Sequence, residues 1–377
     1  MRRLVSPSRD RITLKQNALN GAEGRPAVKE STTIGMDLGD KTHEVCVLDA
    51  DGKVTVRQQI VNTKEAVARF FKGHKRALVV METGTHSPWI ARELERLGCE
   101  VLVGNARKLR VIWMAKDKSD VRDAEMLARI ARVDRALLYP VHHRGEKAQA
   151  DLAVLKARDA LVGARATLVN HARSTVKATG HRLGKCSTEA FARRVRENIP
   201  EGLQPALRPV IEVIEAMSVQ IRAYDLEIAD LVEQRHPQAK RLSQVPGVGP
   251  VTSLGFVLSL EEPERFKKSR SVGAYLGLTA RRDQSGQTDK QLRITKAGDE
   301  YVRRLLVGCA HYILGAFGPE CDLRRFGLKL AARGGKNAKR RAIVAVARKL
   351  AVMLHRLWVT GAEYDPNYQK NAVKQAA

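Results

Sequence analysis

Between Thr33 and Val103 short apolar runs alternate with helical spacings, whereas beyond residue 140 the spacing is helical almost throughout. Ile34-Gly-Met-Asp-Leu-Gly39 predicts a first strand, and the alternation of Glu44-Val-Cys-Val-Leu-Asp49 predicts a second. Asp49-Ala-Asp-Gly52 supplies a hairpin turn before a third strand over Lys53–Ile60, because Asp and Gly accept the tight backbone a hairpin needs. Thr63 is placed to cap a helix from Lys64 to about Gly73, with Ala66, Val67, Phe70 and Phe71 facing inward. Ala77–Glu82 reads as a buried strand, Ser87–Leu97 as a helix, Cys99–Val103 as a strand and Asp120–Val133 as a helix. A hairpin followed by alternating helices and strands implies a mixed sheet with helices packed on it.

Strand signals stop near Pro140, and two long helices follow. The first runs over about Lys147–Thr179, with Leu152, Leu155, Val162, Ala166 and Val169 on one side. In the second, Ile214, Met217, Ile221, Tyr224, Ile228 and Leu231 step by three and four, a heptad rhythm. An antiparallel pair within one chain and an intersubunit coiled coil satisfy this pattern equally. The remainder is mainly helical, ending in a helix over Asn337–Trp358 with Ile343, Ala347, Leu350, Leu354 and Leu357 inward. The expected division is a basic flexible arm over 1–30, an α/β domain over 31–140, a helical region over 141–238, a helical C-terminal domain over 239–360 and a frayed tail over 361–377. The fold class is thus α/β plus α.

Charge narrows the partners. Lys and Arg total 67 against 41 acidic residues, a net +26 across 377 residues. Such an excess concentrates polyanions, so nucleic acid is the expected partner. No apolar run is long enough for a membrane span. The basic N-terminus is followed by no apolar stretch of the secretory kind, which makes a cytoplasmic protein the expectation, nucleoid-associated when bound to DNA. Cys46, Cys99, Cys186, Cys309 and Cys321 are scattered without zinc spacing, as in a reducing compartment.

Four acids stand out by context. Asp37 lies inside an apolar strand between Gly35 and Gly39. Glu82 ends a buried strand. Asp120 and Asp123, three apart at a helix start, share one helical face. A buried carboxylate is costly to keep ionised without a compensating positive charge, and several at one sheet edge suit Mg2+ or Mn2+. Three of the acids also have a plain structural reading, Asp120 as a helix cap, Asp123 as a partner of Arg122 or Arg129 and Glu82 as a strand-end acid, whereas Asp37, inside a strand without a nearby cation, is hardest to explain structurally. Ile34–Gly39 additionally resembles the first phosphate loop of actin-like ATPases, but the further glycine-rich loops such enzymes need are not evident.

In the C-terminal third, Val245-Pro-Gly247-Val-Gly249-Pro250 has the form of a helix-hairpin-helix turn, whose exposed amides bind phosphate irrespective of base. Ser285 precedes Gly286 in a polar loop among Arg281, Arg282, Arg293 and Lys296, which could hold a phosphate beside it. Tyr275 and Tyr301 are alternative nucleophiles, but both sit among apolar residues and read as core.

With these motifs in order, the chain resembles the DEDD transposases of the insertion-sequence-110 family, a group that includes pilin-gene invertases. The resemblance rests on Lys118-Ser-Asp120-Val-Arg-Asp123-Ala124, on Val245–Pro250, and on Tyr275-Leu-Gly-Leu through Gln284-Ser-Gly286 to Arg293-Ile-Thr-Lys296. It implies that Asp37, Glu82, Asp120 and Asp123 form the metal-binding tetrad of an RNase H-like (RuvC-like) domain. It implies that Ser285 attacks DNA and becomes covalently attached. It further implies a noncoding bridge RNA pairing with donor and target DNA, and a homo-oligomer, dimer or tetramer, in which one subunit's acids meet another's serine. The expected activity is insertion-sequence transposition by metal-dependent strand cleavage and transfer. The alternatives are a resolvase-like nuclease without covalent serine chemistry and a non-catalytic nucleic-acid-binding scaffold.

Overall fold

A computed structural model describes residues 32–109 and 119–368, so the expected basic arm and Lys118 lie outside the described residues. The chain divides into two compact units, Met1–His143 and Arg144–Ala377.

The first unit is built on a five-stranded sheet in the order β3-β2-β1-β4-β5. Its strands are β1 (Thr33–Leu38), β2 (Thr42–Leu48), β3 (Val54–Val61), β4 (Leu78–Glu82) and β5 (Glu100–Gly104). The first three form an antiparallel meander, and β4 and β5 run parallel to β1. The β2–β3 turn closes as its sequence requires: Asp49 Oδ1 accepts from the amides of Asp51 and Lys53, and Gly52 takes φ +80°. Helix α1 (Lys64–Phe71) starts at Thr63, whose hydroxyl accepts from the Ala66 amide. On one sheet face Ile34, Met36, Val45, Val47, Val79 and Met81 pack with α1 and α2 (Ser87–Arg96). On the other, Cys46 and Leu48 join Ala124 and Ala128, while Leu78 and Val80 join Leu127 and Ala131, all from helix α3 (Asp120–Val133). Burying both faces is what makes β4 read as a continuous apolar run.

In the second unit α4 (Glu146–Ala178) and α6 (Gln204–Gln234) lie antiparallel. The direction follows from their polar contacts: Asp151 meets Arg235 and His236 at one end, Arg158 donates to Asp225, and Arg165 donates to Ser218 farther along. The heptad stripe is consumed inside the chain, with Ile214, Ile221, Ile228 and Leu231 all buried. Away from the C-terminal helices the pair has its own cluster, in which Phe191, Ala192 and Val195 of α5 (Phe191–Val195) pack between Val169, Ala172 and Val176 and Leu207, Ile211 and Ile214. At its base Leu152, Leu155, Ile228 and Leu231 enter the core of the C-terminal helices.

That core surrounds α8 (Pro250–Leu260), which is apolar on every side and buried over most of its length. Before it comes α7 (Pro237–Leu242), and after it α9 (Arg270–Tyr275), α10 (Glu300–Leu314), α11 (Asp322–Ala331) and α12 (Ala338–Thr360). Two expectations are corrected. Within the mainly helical C-terminal part, β6 (Ala280–Ser285) and β7 (Thr288–Ile294) form an antiparallel hairpin, so Ser285 closes a strand instead of lying in a polar loop. The hairpin is exposed on both faces, and so lacks the apolar alternation that announces a half-buried strand. The tail expected to fray over 361–377 is tied down as far as residue 368, because the Asp322 amide donates to Pro366 and the Arg325 guanidinium donates to Asn367.

Candidate acidic site and serine hairpin

Strand register places the first two acids side by side. Gly35 pairs with Val80 and Met36 with Met81 between parallel strands, so Asp37 and Glu82 each stand one residue farther on. Adjacent strands lie about 4.8 Å apart. Directly across β2 from Asp37 is Glu44, an acid the sequence reading passed over, although it heads the alternating run of β2. Gln59 donates to one of its oxygens.

Helix α3 crosses the same face, because a strand alternates sides and Gly35 therefore shares a side with Asp37. The missing side chain of Gly35 is what admits the helix: a Cβ there would lie 1.8 Å from the Ala124 carbonyl oxygen and 2.9 Å from the Ala128 amide nitrogen. The helix runs antiparallel to β1. Arg57, level with Gly35 through Cys46, donates to Glu125 at 2.6 Å, and Arg132 reaches the carbonyl oxygens of Asp49 and Ala50 beyond the opposite end of β1. The first turn of α3 is thus carried to the end where Asp37 and Glu82 stand. Asp123 is buried there, 9% exposed, and Asp120 lies one turn out and exposed.

The cap of α3 is Ser119, whose hydroxyl accepts from Arg122, so Asp120 is not needed as a cap. Glu125 is a brace: hydrogen bonds from Arg57 and Arg129 hold its carboxyl below the ordinary range. Asp37, Glu82 and Asp123 are each engaged by other groups. Among the described residues no three His, Cys, Asp or Glu side chains are gathered to hold a metal ion in this conformation. The backbone brings the acids to one end of the sheet. The donor set itself, carboxylate oxygen only, suits a hard divalent cation.

Ser285 pairs with Thr288 across a two-residue turn in which Gly286 adopts φ +54°. Glycine is favoured at that first turn position, where positive φ is required. Alternation then sorts the hairpin into two faces. Ser285 shares its side with Asp283, Thr288 and Lys290, whereas Arg282 and Gln284 point the other way. Arg282 reaches Asp289 on that far side at 3.5 Å. Of the cations first considered, Arg282 is therefore turned away from Ser285, and Lys290 is the one the linear reading missed. The register slips between Ala280 and Arg282, so Arg281 and Arg293 flank an irregularity at the base.

The glycines of the surrounding motif are explained by the root of the hairpin. Gly277 has φ +69°, and a Cβ on it would lie 2.1 Å from the Ala297 carbonyl; one on Gly298, at φ +78°, would lie 1.9 Å from the Tyr275 carbonyl. Buried Arg303 donates to both Leu276 and Ala297 across this clasp. Lys296 itself takes φ +54°, and its amide donates to Gly277. The tyrosines are occupied elsewhere. Tyr301 is buried, its phenol pushed up to about 12 chiefly by burial, and Tyr275 donates to Ser259.

Between α7 and α8, Gly247 adopts φ +79° with Tyr312 and Cys309 packed against it, and Gly249 is an exposed, extended cap ahead of Pro250. The turn has the exposed helix start expected of it. Among the described residues no helix is long and apolar enough to cross a membrane.

A mixed sheet with paired strand-end acids, followed by a helical pair and a helical domain, is the α/β plus α arrangement of a DEDD transposase. Residues 34–180 match the DEDD transposase profile of the IS110 type, and residues 239–322 match the profile described as the transposase IS116/IS110/IS902 family. The chain is 27% identical over 369 residues to the transposase for insertion sequence element IS1111A of Coxiella burnetii, covering 92% of this chain and 95% of that one. It is 28% identical to a probable family 20 transposase of Pseudomonas aeruginosa, over 88% of this chain and 98% of that one. It is 26% identical to the transposase for IS1328 of Yersinia enterocolitica, over 74% and 83%. The chain belongs to the IS110 family of insertion-sequence transposases, DNA-acting enzymes.

Proposed function

We propose that this transposase cuts and joins DNA with an acidic tetrad and a serine, Asp37, Glu82, Asp120 and Asp123 being the metal ligands and Ser285 the nucleophile. The observation that carries the reading is the meeting of strand ends β1 and β4 with the first turn of α3, which brings acids distant in sequence to one end of the mixed sheet. Held by these carboxylates, Mg2+ or Mn2+ would supply positive charge at the scissile phosphate. The serine Oγ–P bond forms as one P–O bond to deoxyribose breaks; the serine proton passes to a base, and the departing deoxyribose oxygen takes up a proton to become a hydroxyl. A hydroxyl of the exchanging strand then reverses that ester, so the bond count is conserved without ATP. Lys290 and Thr288 stand on the serine's face to bind the phosphate, and Arg281, Arg293 and Lys296 flank the root. Gly247 and Gly249 present amides to a second stretch of backbone.

Donor and target DNA are the substrates, a bridge RNA supplies sequence choice by pairing, and a homo-oligomer is the working form; the large positive charge supports binding of several backbones together. The test is a nicked suicide substrate carrying donor and target junctions. Ser285→Ala is expected to abolish the covalent protein–DNA adduct while leaving binding intact. Adduct-free recombination by that variant would instead support the resolvase-like alternative.

A further inference from the structure

On α11 the cations Arg324 and Arg325 engage Glu320 and Asp322. The turn that follows α11 is different. Arg333, Lys336, Lys339, Arg340 and Arg341 fall within nine residues that contain no acid. All five are exposed, and none makes an ion pair within the described residues. Gly334 and Gly335 reverse the chain at φ +74° and +89°, in open space where a Cβ would touch nothing. They are there for the backbone, because consecutive left-handed residues strain any side chain. The helices on either side are drawn close by Gly327, whose Cβ would fall 2.5 Å from Leu314 and 2.6 Å from Val346. Ala338 and Ala342 face the core, which turns Lys339, Arg340 and Arg341 outward.

The placement runs against local preference. A helix N-terminus carries partial positive charge and favours acids in its first turn. Helix α12, 23 residues long, has no acid there and no side-chain cap, yet opens with three cations. Such local conflicts are retained where an outside charge resolves them. We propose that the Arg333–Arg341 turn is a docking surface for the phosphate backbone of duplex DNA. It lies beyond residues 239–322, the part of the C-terminal unit that the family profile matches. The segment holds no aromatic side chain on which unstacked bases could lie, which favours a paired backbone over a single strand. Contacts of this kind fix position without reading sequence.

The experiment measures binding of the full chain to a random-sequence DNA duplex over a series of salt concentrations. The variant Lys336→Gln/Lys339→Gln/Arg340→Gln/Arg341→Gln is expected to bind more weakly, with a log K against log salt slope shallower by roughly 0.9 per lost phosphate contact, about two to four units in all. Lys336→Arg/Lys339→Arg/Arg340→Lys/Arg341→Lys is expected to keep the original slope. A control removing four scattered lysines, Lys53, Lys64, Lys72 and Lys75, is expected to change it far less. An unchanged slope in the first variant, or an equal change in the control, overturns the proposal. So does a loss confined to an RNA hairpin of equal length while DNA binding is kept. Circular dichroism confirms folding, and if the quadruple variant unfolds, the two double variants carry the same comparison.

Discussion

Gly35 and Ala124 meet backbone to backbone, so closely that a Cβ on Gly35 would lie 1.8 Å from the Ala124 carbonyl oxygen. This contact seats α3 on β1 and thereby fixes where Asp123 stands relative to Asp37. Backbone cannot rotate aside as a side chain can, so Gly35→Ala must lift the helix. The expected cost is about 1–3 kcal/mol, as for other overpacked cores. Thermal unfolding checks the stability loss, and single-turnover cleavage is expected to fall further than the unfolded fraction accounts for.

Acids on and off the site are expected to behave differently. Asp37→Asn and Asp123→Asn should abolish DNA cleavage without lowering the melting temperature, and a chelator should do the same to the unaltered protein. Glu125→Gln should do the reverse: it removes the charge and one of the two oxygens that accept from Arg57 and Arg129, lowering stability modestly while cleavage by the folded fraction persists. Cleavage assays alongside calorimetry separate the two patterns. Full activity in either Asp variant rejects the tetrad.

The two faces of the serine hairpin give a sharper comparison. Lys290→Gln is expected to slow adduct formation by about tenfold or more, as loss of one charged donor to a reacting phosphate does. Arg282→Gln, on the far face, should leave that rate nearly unchanged. Equal effects from both would show that the register does not orient the serine.

At the root of the hairpin, Gly298→Ala forces a side chain into the Tyr275 carbonyl at a left-handed backbone position. Loss of stability of about 1–3 kcal/mol is expected, together with loss of the adduct. Arg303→Met, which removes both bonds across the clasp, should reproduce this. Proteolysis of the hairpin in each variant checks that the root has opened.

His43, fully buried at the end of β2, has its imidazole pushed below the ordinary 6.5 chiefly by burial. A depressed folded value means the unfolded chain binds the proton more readily. Stability is then complete above 6.5 and declines as pH falls below it. Melting temperatures between pH 7.5 and 5 should show this decline, and His43→Gln should flatten it. An unaltered slope in the variant would assign the effect to another group.

Much of the first unit was legible because its strands and helices carry either a clear apolar period or, at β4, a short continuous apolar run bounded by polar residues. Thr63, the Asp49–Gly52 turn and the start of α3 at Asp120 all follow from local chemistry. The serine hairpin was not legible as strand, because a ribbon exposed on both faces buries nothing and leaves no alternation to read. The tail over residues 365–368 was misread for a related reason, since what holds it is a handful of bonds to distant Asp322 and Arg325.

The sequence by itself determined the large positive charge that calls for a polyanionic partner, the order of elements in the first unit, and which acids and which serine stand as candidates, since charge, period and residue chemistry are local properties. Tertiary structure decided which of them face one another. Register put Glu44 opposite Asp37, turned Arg282 away from Ser285 and set Lys290 on the serine's face; the absent side chain at Gly35 set the depth of α3. Whether the heptad stripe of α6 met its own chain was likewise a question of packing, because a run of apolar positions specifies that it will be covered and leaves open by what.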